Sequence, residues 1–135
     1  MGRLVPFVGT AGVRIEQMDS ERVVASLKNR RRVRNHIRSL HAAAMALAAE
    51  TASGFLVAMN LPEDKLPLMK SLRVDFTRRA AGGLRVSASL SPEQRERMQS
   101  EERGEVDVLV EAIDDLKQSP IRCQMIWAWV PKKKD

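Results

Sequence analysis

The chain has no tyrosine, only three phenylalanines and two tryptophans among 135 residues, and a single cysteine. Each scarcity excludes something. So few rings weaken the case for a stacking platform of the kind that holds single-stranded nucleic acids. Cys123 has no partner in the chain, so a disulfide framework is excluded and a reducing cytoplasm is the expected compartment. Two histidines, His36 and His41, and one cysteine do not make a zinc set, so no metal is expected. No glycine-rich phosphate loop or dinucleotide fingerprint occurs. Residues 1–12 lack a charged lead and a long apolar run, so no secretory leader is expected. Pro6 stands where a myristoylation signal takes Ser or Thr.

What is present reads as one ordinary globular domain over residues 1–135. It is 44% hydrophobic and 30% charged, with apolar residues recurring in blocks throughout. The formal charge is +6, from 23 basic and 17 acidic residues. Lys28, Arg30, Arg31, Arg32, Arg34 and Arg38 lie in one run without an acid, and that run accounts for the whole excess. Such a cluster suits an anionic partner: nucleic acid, an acidic surface or a phosphorylated small molecule. A solvated basic loop without a partner is the other reading.

Alternation at period two predicts strands over Val13–Glu16, Val23–Leu27, Leu72–Thr77, Leu84–Leu90, Val106–Val110 and Ile121–Trp129. Asp19-Ser20 and Gly82-Gly83 are turn signals, and Pro131 stops the last strand, leaving a tail over Lys132–Asp135 that is expected to be mobile. Ser91-Pro92 opens a polar helix that ends near Gly104, with Ser91 as its cap. Ala42–Met59 breaks the alternation. It reads AAAMALAAETASGFLVAM, a strong helix former that is apolar all round and so calls for burial on most sides. A membrane span is disfavoured by the alanine content and by Glu50 at its centre. Met45, Met59, Met69 and Met125 are expected as core filler, and Trp127 and Trp129 as packing under the sheet or at an interface. The expected architecture is α+β: an antiparallel sheet wrapped around one long central helix. Because one short domain has little material to bury every side of that helix, a second copy is expected to complete it.

The chemistry concentrates between Asn35 and Glu50. Glu50 is the one ionisable group inside the apolar helix, and burial raises a carboxyl toward the range useful for proton transfer. A structural acid paired with an arginine is the alternative. His41 falls at the helix start, where backbone N–H groups point outward and could receive a carbonyl oxygen gaining negative charge; those of Ala42 and Ala43 are the candidates. A packing role at the helix start is the alternative for His41. His36 and Cys123 are expected to be structural. His41 and Glu50 are nine residues apart, about 13 Å along a helix. They cannot both reach one reacting carbonyl from the same helix, so a single site using both would be shared between two chains.

The order and spacing Asn35, His41, Glu50 resemble the hotdog-fold thioesterases of the phenylacetate-pathway and hydroxybenzoyl-CoA type. That group carries Asn, then His-Gly-Gly six residues on, then Asp or Glu nine residues after the His. The resemblance extends to length and strand order, and takes in a bacterial branch of that fold labelled as thioesterases. It implies a homodimer or homotetramer hydrolysing an acyl-CoA thioester, with coenzyme A entering as part of the substrate and no separate cofactor. Glu50 would be the general base, or a nucleophile forming a mixed anhydride; Asn35 would orient water or thioester and His41 the carbonyl. The amides of Ala42 and Ala43 would form the oxyanion hole. Ala42-Ala43 replaces the family's Gly-Gly, and the added methyls narrow the approach. Arg30, Arg31, Arg32, Arg34, Arg78 and Arg79, with the Lys132–Lys134 tail, would be the candidates for the coenzyme A phosphates. Two other classes stay open: a hotdog protein that binds acyl-CoA without cleaving it, and a nucleic-acid binder using the arginine run.

Overall fold

Period-two alternation becomes six strands in one antiparallel sheet, seen in a computed structural model that describes residues 6–133. The residues read above for a lipid anchor or leader lie partly outside that range (1–5), as does the end of the basic tail (134–135). The strands are β1 (Arg14–Met18), β2 (Arg22–Leu27), β3 (Lys65–Phe76), β4 (Leu84–Ser89), β5 (Gly104–Asp114) and β6 (Ile121–Pro131). Their spatial order is β1-β2-β4-β5-β6-β3, and every neighbouring pair is antiparallel. The helices are α1 (Pro6–Ala11), α2 (Ala42–Asn60) and α3 (Pro92–Ser100), with a short 3-10 turn over Arg31–Val33.

Three elements depart from the sequence-based expectation. The Leu72–Thr77 strand begins seven residues earlier, at Lys65, because Pro67 argues against a strand interior yet is tolerated at a sheet edge, where β3 lies. Pro6–Ala11 forms a helical turn and a half that no periodicity announced. The polar helix stops at Ser100; its start is the expected one, with Ser91 Oγ accepting from Gln94 N and Gln94 Oε1 accepting from Ser91 N in a capping box.

The long helix α2 lies across the sheet. Ala48, Ala49, Ala52, Leu56 and Val57 are fully buried with Val23, Ala25, Val86, Ala88, Met125 and Trp129. Alanine on that face lets the helix axis approach the strands closely, at the density a packed interior requires. This helix is long and apolar enough to cross a membrane, but here 56% of its most apolar window is buried inside the fold. Burial is not complete all round. Ala42 and Ala58 are exposed and Ala46, Glu50 and Gly54 half-buried, a stripe at four-residue spacing that the sheet leaves open.

Gly54 and Trp127 form one unit. The indole lies so close that a Cβ at position 54 would stand 2.8 and 2.9 Å from two ring carbons, and Trp127 Nε1 donates to Ser53 Oγ at 2.9 Å. Gly104 admits Trp129 in the same way. Gly54→Ala is therefore expected to force the indole off Ser53 and to cost about 1–3 kcal/mol, measured by denaturant unfolding.

Candidate active site

A tight loop leads into α2. Arg34 bridges Leu40, and Asn35 Oδ1 accepts from the backbone of Ile37 and of Ser39, each at 3.0 Å. Arg38 turns the loop with a left-handed φ of 63°. Arg79 straps the loop from outside: its Nη2 donates to the Ile37 carbonyl at 2.7 Å and its Nε to the buried Ser39 hydroxyl. The Asn35 carboxamide oxygen is thus spent on the loop, while its NH2 has no acceptor among the described residues. Asn35 lines a cleft of about 410 Å³ with Ala42, Met45, Phe76, Arg78 and Arg79.

His41 is the N-cap of α2, and its Nδ1 accepts from Ala43 N at 3.0 Å. Accepting at Nδ1, the neutral imidazole carries its proton on Nε2, a donor to whatever enters the neighbouring 190 Å³ cleft beside Phe7, Arg32 and Arg34. The Ala43 amide is occupied by this cap. Ala44 N and Met45 N both bond the His41 carbonyl, so at the helix start Ala42 N–H is the donor with no partner among the described residues. His41→Ala removes the cap and is expected to cost about 1 kcal/mol, seen as a lower Tm.

Glu50 sits on the open stripe of α2, half-buried, in an apolar pocket of about 240 Å³. Val8, Gly54, Phe55, Ala58, Pro67 and Trp127 supply its apolar lining, and Thr51 the one other polar side chain. No hydrogen bond or ion pair engages the Glu50 carboxylate among the described residues, so the alternative of an arginine partner finds no support. Burial without a partner pushes its pKa above the usual glutamate range. The sign of the stability effect follows. A carboxyl whose pKa is raised on folding is penalised when ionised, so the penalty is present above the folded pKa and fades as pH falls through it. Glu50→Gln is expected to raise Tm at pH 7, with the advantage shrinking toward acid pH in paired thermal melts.

One protomer does not bring the predicted residues together. Asn35 and Ala42 share one cleft, His41 and Ala43 a second, and Glu50 lies in a third. Of the arginines, Arg34 is held by Asn29 (Nε to Oδ1 2.5 Å) and Arg79 by the loop strap. The side chains of Arg30, Arg31, Arg32 and Arg78 make no hydrogen bond or ion pair among the described residues. His36 is exposed and lines none of these three clefts. Cys123 is partly buried and its thiol is pushed up to about 11, an inert group at neutral pH, as its place in the strand pattern suggested. The apolar pocket walls, Phe55 and Pro67 above all, were missed by sequence reasoning; the four-residue recurrence Ala42, Ala46, Glu50, Gly54, Ala58 was the signal available.

A single antiparallel sheet packed around one long central helix is the hotdog architecture. The chain belongs to the family described as domain of unknown function DUF4442, whose model matches residues 1–130. The Pseudomonas aeruginosa protein PA5026, described as a protein of unknown function and probable thioesterase, shares the fold with a TM-score of 0.88. It is 22% identical, with 97% of this chain and 91% of that one covered. The thioesterase enzyme SAV0944 of Staphylococcus aureus, in a Gln-to-Ala variant, has a TM-score of 0.78 at 18% identity, covering 94% of this chain and 100% of that one. Thioesterase HI1161 of Haemophilus influenzae has a TM-score of 0.76 at 12% identity, covering 93% and 82%. No curated protein matches the chain.

Proposed function

We propose that the chain is a cytoplasmic acyl-CoA thioesterase whose site is completed between two copies. The observation that carries this reading is the Glu50 carboxylate, half-buried, partnerless and facing an apolar pocket on the uncovered stripe of the central helix. A partnerless acid in such a place costs stability, and proton transfer is what its raised pKa serves. The description of its structural neighbours as thioesterases supports the same reading. SAV0944 has been crystallised as Ala variants of a glutamate and of a glutamine fifteen residues before it, the separation of Asn35 from Glu50 in this chain.

The second copy follows from the sheet edge. β3 is an edge strand carrying four exposed apolar side chains, Leu66, Leu68, Leu72 and Phe76. An edge of that kind is a pairing surface. Antiparallel pairing of β3 with its copy through the middle of the strand sets the start of one beside the end of the other. Pro67, at the start, walls the Glu50 pocket, and Phe76, at the end, walls the Asn35 and Ala42 cleft. The partner thereby supplies what nine residues of helix keep apart in one chain.

In that site Glu50 takes a proton from water as the water oxygen bonds the thioester carbonyl carbon. The resulting oxyanion accepts from Ala42 N–H, with the Asn35 NH2 as the further donor in the same cleft, while His41 borders the neighbouring one. Collapse breaks the C–S bond, and the proton held by Glu50 passes to the leaving thiolate, releasing carboxylic acid and coenzyme A. Arg30, Arg31, Arg32 and Arg78 are the cations free to meet its phosphates; Arg34 and Arg79 serve the loop instead. The test is thiol release from a panel of short, long and aromatic acyl-CoA thioesters, in which turnover by the wild type supports the reading and silence across the panel overturns it. A non-catalytic acyl-CoA binder is the second reading, favoured by one observation: His41 caps the Ala43 amide and leaves a single free donor at the helix start. Saturable binding without thiol release would establish it.

A further inference from the structure

Beside the Asn35 and Ala42 cleft, toward the Gly82-Gly83 turn, lies a further cleft of about 460 Å³ that nothing above uses. Its charged walls are Arg38, Arg78 and Arg79, and no acid lines it. Ser39, Arg78, Arg79 and Ala80 border both clefts, so the two share that wall. The acids next to the turn are directed onto backbone amides. Asp114 accepts from Ala81, Leu116 and Gln118 at 3.0, 2.9 and 3.0 Å, and Asp115 Oδ2 accepts from Gly83 N at 3.0 Å. The side chains of Arg38 and Arg78 make no hydrogen bond or ion pair among the described residues. Arg38 also holds its place at a cost. Its left-handed φ of 63° is one that glycine or asparagine takes readily and arginine does not. Its backbone is fixed from both sides, because Arg38 N donates to the Asn35 carbonyl and Asn29 Nδ2 to the Arg38 carbonyl. Folding alone would favour glycine there, and three guanidinium groups around one solvent-filled cleft repel each other.

We propose that the cleft between Arg38, Arg78 and Arg79 binds a phosphoryl group, with the Arg38 and Arg78 guanidinium groups donating to its oxygens in the bidentate manner that suits phosphate. Arg79, whose Nε and Nη2 hold the loop, adds positive charge to the wall rather than a contact. An anion in this place removes the repulsion among the three arginines, which is what the strained Arg38 and the acid-free wall lack. Two sources carry that chemistry, the phosphates of coenzyme A and free phosphate. The wall shared with the Asn35 and Ala42 cleft favours coenzyme A, since a thioester lying in that cleft can send its phosphate-bearing arm along it. That assignment rests on the thioesterase reading and deepens it, choosing this cleft over the Arg30–Arg32 run as the seat of the phosphates. The anion site itself does not depend on it.

The test compares wild type with Arg38→Gly and Arg78→Ala, and with Arg32→Ala in the rival run. Glycine suits the left-handed backbone, so Arg38→Gly should fold and melt no lower than wild type in phosphate-free buffer. Calorimetric titration with coenzyme A and with pantetheine, which lacks the phosphates, is expected to show a wild-type preference for coenzyme A on the order of a hundredfold. Arg38→Gly and Arg78→Ala should each cut that preference roughly tenfold, the scale of one charge-assisted hydrogen bond. Inorganic phosphate should raise the wild-type Tm by about 2–4 °C over sodium chloride of equal ionic strength, and should not raise that of either variant. Loss of the preference establishes the cleft with coenzyme A as its source, and loss of the phosphate shift alone establishes it for free phosphate. The inference is overturned if both effects survive in both variants, or if wild type shows neither. A preference removed by Arg32→Ala and not by the other two overturns it as well, placing the phosphates on the run. Thiol release is read separately. Silence across the thioester panel, with the phosphate shift present in wild type and lost in both variants, overturns the thioesterase reading and leaves the anion site standing.

Discussion

Glu50→Gln is expected to reduce kcat for acyl-CoA hydrolysis by roughly a hundredfold to ten-thousandfold, the range in which a positioned general base contributes. Glutamine is nearly isosteric and fits the same apolar pocket, so the protein should remain folded. It should in fact melt higher at pH 7, because the partnerless charge that burial penalises is gone. Opposite movement of activity and stability is the signature of a strained functional group, and a structural acid would lose both together. The pH profile gives an independent check. Activity requires the ionised carboxylate, so kcat should fall on the acid side with a midpoint above the ordinary glutamate range, and that limb should vanish from the residual rate of Glu50→Gln. Steady-state thiol release across pH, with melts in parallel, measures all of this. A variant with wild-type turnover would remove Glu50 from the chemistry.

Much of this arrangement was legible before any coordinates. Ala42–Met59 reads as a helix from composition alone, and in the structure it differs by one residue at its end. Each of the six strands is announced at least in part by period-two alternation, which in β4, β5 and β6 records one buried and one more open face, whereas β1 buries no residue. The first half of β3 resisted for a physical reason. As an edge strand with Leu66, Leu68, Leu72 and Phe76 exposed on both faces, it has no buried face along much of its length to write an alternation, and Pro67 argued against it. At the candidate site, Glu50 stood out as the lone charge in an apolar helix and His41 as its start. Asn35 Oδ1 bound to its own loop, the Ala43 amide bound to His41, and the Arg79 strap were not legible. Each depends on which way a short polar side chain turns, and spacing carries no record of that.

The division of the site between two chains makes a sharper demand than loss of activity. Asn35→Asp keeps an oxygen for the Ile37 and Ser39 amides, so the loop should hold, but it deletes the free NH2 donor and adds charge beside Ala42. Each of Asn35→Asp and Glu50→Gln is expected to be nearly inactive as a pure homodimer. If Glu50 acts with Asn35 of the other copy, a mixed dimer carries one doubly damaged site and one intact site. Random exchange makes about half the dimers mixed, so about a quarter of wild-type activity should return on mixing, with no new contact formed. A site built within one chain predicts no recovery at all, since every chain carries a lesion. The exchange itself can be blocked as a control. Leu68→Lys and Leu72→Lys place charge on the β3 edge, and they should yield monomers by sedimentation, without activity and without rescue. Recovery of turnover by those monomers would show that the β3 edge is not where the site is completed.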